Sequence, residues 1–97
     1  MAAATRKGNC LIFTAVTDTY AAQIVSIAGI TFAGTGLTSP QQVLLTDDQG
    51  DVIVDYLTEG TTLDNQDLWN GRPAKFYNGL KMTGTIAGTW RLTVYLE

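Results

Sequence analysis

The sequence predicts an all-β protein: an antiparallel β-sandwich of seven or eight strands, on an immunoglobulin-like or a jelly-roll plan. Three observations carry this. Thr, Val and Ile supply 27 of the 97 residues, and β-branched side chains are stiff at χ1 and pack well on pleated surfaces. Ten glycines are spread along the chain as punctuation, at the turn spacing of short strands. No stretch of ten residues has a convincing helical period.

Each segment follows from its own pattern. Residues 1–8 read as a flexible N-terminal arm, too short to nucleate an Ala-rich helix, and residues 9–97 read as one sandwich domain. The apolar density of residues 9–16 predicts a strand, broken at Asp18. Residues 20–33 satisfy two periods. Tyr20, Ala22 and Ile24 alternate with Ala21, Gln23 and Val25, whereas Ala21, Ala22, Ile24, Val25 and Ala28 trace a helix face. Gly29, Ile30, Thr31 and Phe32 decide for a long strand, bent or bulged near Gly29. Residues 34–40 form a loop.

Residues 43–46 and 52–57 flank a turn with acids at its start and Gly50 within it, the signature of a hairpin. The polar, acidic stretch 58–71 reads as a loop anchored by Leu63, Leu68 and Trp69. Residues 72–77 add a short edge strand, held from the sheet centre by Pro73, and Asn78-Gly79 marks a turn. Leu80, Met82 and Ile86 then oppose Lys81, Thr83 and Thr85; Trp90, Leu92, Val94 and Leu96 alternate with Arg91, Thr93 and Tyr95. This pair predicts a half-buried hairpin that closes the domain.

Size and charge bound the function. A chain of 10.4 kDa folds from roughly 15,000 Å² of surface to roughly 5,400 Å², enough for one modest core. Only 15% of the residues are charged, below the usual quarter, which points to a surface partly covered by something else. The net charge of −3 argues against nucleic-acid binding, whose affinity rests on clustered Lys and Arg. Seven of the nine acids lie from Asp47 to Asp67, and four of the six bases from Arg72 to Arg91. They read as complementary patches on neighbouring subunits or as solvated loops. The start of the chain lacks the apolar stretch of a signal peptide, and no segment approaches a membrane span. The expectation is a chain that stays in the cytosol or assembles there into something larger, without a membrane partner.

No constellation for catalysis, cofactor or metal emerges. Asp47, Asp48 and Asp51 lack the alternate spacing of a calcium loop and are explained by the hairpin turn. Asp64 and Asp67 are a candidate carboxylate pair for glycoside hydrolysis, but they lie on a polar loop without the aromatic-lined cleft that chemistry needs. The chain has no His, which removes the base of the usual Ser or Cys triad. Its glycines match no phosphate cradle. The lone Cys10, beside Leu11, Ile12 and Phe13, reads as a small buried hydrophobe. Among the aromatics, Trp90 belongs to an inward row, and Trp69 either plugs an end of the sandwich or joins Tyr56, Phe76 and Tyr77 as an exposed anchor.

One layout remains: the hairpin VLLTDDQGDVIV at 43–54, a polar excursion, FYNGL at 76–80, a Gly-bounded turn and the closing WRLTVYL at 90–96. Over residues 22–97 this layout resembles small β-sandwich virion accessory proteins of tailed phages, of the capsid decoration or cement type. The resemblance implies a non-catalytic component of the virion, a dimer or trimer that binds the major capsid protein and itself. It implies partner contacts at the arm (Arg6, Lys7) and at the acidic loop (Asp64, Asp67, Trp69). The alternative is a receptor- or glycan-binding domain of a tail or fibre, reading a surface through Trp69 and Tyr77.

Overall fold

A computed structural model describes residues 4–16, 18–38, 41–58, 60–73 and 75–97, with the backbone alone for residues 21–23, 84 and 85. Eight strands follow one another: β1 (Thr5–Lys7), β2 (Cys10–Phe13), β3 (Thr19–Thr35), β4 (Gln42–Thr46), β5 (Val52–Leu57), β6 (Leu63–Asp67), β7 (Lys75–Thr85) and β8 (Thr89–Leu96). The predicted class holds: all pairings are antiparallel. The strands form one continuous sheet in the order β1-β2-β8-β3-β7-β4-β5, with β6 also on β3.

Two long strands, each pairing with different neighbours along its length, divide this sheet into two halves. The 17-residue β3 pairs through Thr19–Ile27 with β7, then through Ile27–Thr35 with β8. Its register shifts between Ile27 and Gly29, where the sequence predicted a bulge, and a bulge bends its strand. The 11-residue β7 likewise leaves β3 after Lys81 and pairs with β4 up to Thr85. The connections then fix how the halves meet. Thr35 pairs with Thr89, and Gln42 pairs with Thr85, so the β3–β4 and β7–β8 connections bridge the same gap. The second is only residues 86–88, which span at most about 14 Å, close to the ~10 Å between packed sheet layers.

Between the halves lies one apolar core. Leu11 and Phe13 of β2, Ile30 and Phe32 of β3 and Leu92 and Val94 of β8 are buried in the same cluster as Val43, Leu45, Ile53 and Val54 of β4 and β5. Phe32 stacks obliquely on Trp90, ring centroids 5.9 Å apart. The accessible surface of 5294 Å² matches the value expected for a compact chain of this mass.

The structure departs from the expectations in five places. The closing hairpin does not form: residues 75–85 and 89–96 flank β3 and pair with it instead of with each other. Their alternation is nonetheless as read, with Leu80, Met82, Trp90, Leu92, Val94 and Leu96 buried. Asn78-Gly79 is no turn but lies inside β7, where Gly79, at φ 75, leaves the space that Asp48 fills. The polar stretch 58–71 contains strand β6, whose single buried side chain, Leu63, gives no alternation to read. The segment read as an arm contains β1, which folds back on β2 through a two-residue turn with Gly8 at φ 60; residues 1–3 lie outside the described residues. Cys10 is half-buried, not buried, because Leu11 and Phe13 take the inward phase of β2.

Candidate interaction surface

Directly opposed residues of neighbouring strands share a face, so the registers give the outer face of the sheet. One row runs Thr5, Ile12, Thr93, Thr31 and Asp67, and the next runs Lys7, Cys10, Tyr95 and Gly29. Beyond the bulge the face continues through Ser26 opposite Phe76 and Ile24 opposite Asn78. Ile24 and Phe76 are thus diagonal neighbours, 74% and 71% exposed. Tyr95 lies over Gly29, whose missing Cβ would stand 3.6 Å from the ring. No charged residue occurs between Asp18 and Asp47, so β3 carries none. On β2 and β8 this face holds only Arg91 near one end and, just past the other, Glu97. The middle is flat, apolar or hydroxylic, and open.

The residues singled out from sequence are not gathered into one site. Arg6 and Lys7 are exposed on β1, with Arg6 Nη1 donating to the Tyr20 hydroxyl at 3.0 Å and Nε to the Gly8 carbonyl at 3.1 Å. Asp64 and Asp67 lie on β6, four strand spacings away across β3, β8 and β2, about 19 Å. The two carboxylates also open into different depressions, Asp64 beside Trp90 and Arg91, Asp67 beside Asp55 and Arg72. They form no acid–base pair. Asp67 has a local task instead: its Oδ1 accepts the backbone N–H of Trp69 at 2.9 Å and of Asn70 at 3.2 Å, closing the turn after β6.

Trp69 is core, only 3% exposed, which removes it as a surface anchor and fits the plug reading. Its indole N–H donates to the Arg72 carbonyl at 2.7 Å, and the Arg72 guanidinium lies 4.0 Å above the ring. Arg72 in turn donates through Nε to the Trp69 carbonyl at 3.1 Å and through Nη2 to the Ile53 carbonyl at 3.3 Å. This locks the 68–72 turn against β5. Tyr56 and Tyr77 are half-buried, and Phe76 alone of that sequence cluster stands out in solvent.

The acidic hairpin turn is likewise self-satisfied. Asp47 is buried, and its Oδ1 accepts the N–H groups of Gln49 and Asp51, each at 2.9 Å. Among the described residues no group of three or more His, Cys, Asp or Glu is placed to hold a metal ion. Among the described residues no helix is long and apolar enough to cross a membrane.

Of the exposed residues that define the outer face, Phe76 was read from sequence as part of a candidate exposed aromatic cluster, whereas Ile24 and Tyr95 were not singled out. The available signal was the run from 24 to 28, apolar on both phases of the strand apart from Ser26, which a one-sided sheet does not need. Comparison with protein-family models, with curated proteins and with solved structures finds no match.

Proposed function

We propose that this chain is a non-catalytic assembly subunit that decorates or cements a phage capsid, seating the outer face of its sheet on the major capsid protein or on a second copy of itself. The observation that carries this reading is the open, charge-poor face around Ile24, Phe76 and Tyr95. Exposed contiguous apolar residues mark interfaces, and aromatics without nearby charge are typical of interface centres. A lattice multiplies such contacts: many modest attachments on one particle hold more durably than any one of them. The lattice is named from the resemblance of layout read in the sequence alone. Trp69, which both this reading and the tail or fibre alternative named as a contact, is in the core and serves neither.

Co-sedimentation with capsids of the source phage prepared without this protein tests the reading. Wild-type protein is expected to bind saturably at a fixed copy number per capsid subunit, and Phe76→Glu to stay in the supernatant while remaining folded. Absence of the wild-type protein from the pellet, or equal pelleting of Phe76→Glu, contradicts the proposal.

A further inference from the structure

The order of strands leaves β5 at one end of the sheet. Thr58 N–H donates to the Gln41 carbonyl at 2.9 Å, and the alternation of an antiparallel ladder then turns the N–H and C=O of Asp55 and Leu57 away from β4. At Asp55 this outward edge borders a groove of about 500 Å³ whose far wall is Gln66, Asp67 and Leu68. On that wall Leu68 N–H donates to the Ile30 carbonyl at 2.9 Å, so the backbone of Asp67 also faces away from its own sheet partner. Arg72 closes one end of the groove by holding the Ile53 carbonyl. The seam is thus bounded by two strand edges that do not pair with each other.

We infer that this groove receives an extended, basic peptide segment of a partner protein, added to β5 as a further antiparallel or parallel strand. Strand addition takes its affinity from main-chain hydrogen bonds and its selectivity from alternate side chains. Asp55 and Leu57 offer two donors and two acceptors for that ladder. Selectivity follows from charge: Asp55 and Asp67 line the groove, within the segment that holds seven of the nine acids of the chain. Its one lining cation among the described residues, Arg72, keeps its charge while donating to two carbonyls, so the two carboxylates leave the groove with a net negative charge. Lys or Arg at alternate positions of an incoming strand would meet these carboxylates, whereas an acidic strand would be repelled. Leu57, 60% exposed, gives the same strand an apolar contact. The groove lies away from Ile24 and Phe76, and its occupancy does not depend on the capsid reading.

The test uses the full chain and three fluorescein-labelled nine-residue peptides: alternating Lys-Thr, alternating Glu-Thr, and the Lys-Thr peptide with alternate amides N-methylated. Anisotropy is expected to show saturable one-to-one binding of the first and none of the second. N-methylation keeps the charge but removes ladder donors, and is expected to weaken binding by roughly tenfold or more. Backbone amide NMR shifts are expected at residues 53–57 and 66–68, and Asp55→Asn is expected to reduce affinity without altering the fold. Equal binding of the N-methylated peptide would reduce the interaction to charge attraction and overturn the inference. So would equal binding of the acidic peptide, no binding of the basic one, or shifts confined to other strands.

Discussion

Replacing Gly88 by Ala probes how the two halves of the sheet are joined. The connection formed by residues 86–88 runs beside the end of β3, and an ideal Cβ on Gly88 would stand 2.6 Å from the Gly36 carbonyl oxygen and 2.8 Å from that of Thr35. Both obstacles are backbone, so no rotamer change relieves them. Gly50 provides the control: it too has positive φ, 87° against 104° at Gly88, but nothing lies within 4 Å of its Cβ position. Each substitution bears the conformational penalty of about 1–2 kcal/mol for an L-residue in that region. Gly88→Ala must in addition push two chain segments apart, for about 1–3 kcal/mol more. In a domain of this size the extra term lowers Tm by a further 5–20 °C, roughly. Urea unfolding with an unchanged m value gives the same comparison isothermally. Equal losses for Gly88→Ala and Gly50→Ala would refute the close approach, and with it the placement of β7 and β8 on either side of β3.

Other substitutions test the packing and the turns. Phe32→Ala removes a fully buried ring that stacks on Trp90 and is expected to cost about 3–5 kcal/mol in urea unfolding, a large part of the total stability. Asp18→Ala is expected to cost about 2–4 kcal/mol, because the buried carboxylate accepts the N–H groups of Thr14 and Ala15 at 2.9 and 3.1 Å; a shift in urea midpoint below half of that would contradict its role. Phe76→Ser, at a site 71% exposed, is expected to leave the unfolding free energy of the isolated protein, read by urea unfolding, within about 0.5 kcal/mol of wild type. A large loss would mean that Phe76 serves the fold and not a partner.

The sequence carried the local rules well and the long-range pairing poorly. Period-two alternation located the buried faces of β7 and β8, and the glycine among β-branched residues located the bulge in β3. Both signals are set by a residue and its near neighbours. Alternation does not, however, identify the strand across the ladder. Residues 80–86 and 90–96 looked like a hairpin because they are adjacent in sequence, while β3 lies some fifty residues earlier and separates them. Strand β6 was invisible because it buries little beyond Leu63, so its place is fixed by backbone pairing with β3 alone. Trp69 misled for the opposite reason: in a polar stretch an aromatic looks like a surface anchor. Its burial depends on Arg72, whose guanidinium covers the ring and ties the turn to β5. The outer face as a whole was unread because it is a property of register, assembled from residues on six strands.

Hydroxyl-radical footprinting of the protein free and bound to the capsid, read by mass spectrometry, tests the central claim most directly. The account predicts that Phe76, Ile24 and Tyr95 lose most of their oxidation on the particle while Val52, exposed at the start of β5, keeps its own. Unchanged oxidation of Phe76 and Ile24 on a particle that demonstrably holds the protein would contradict attachment through the outer face.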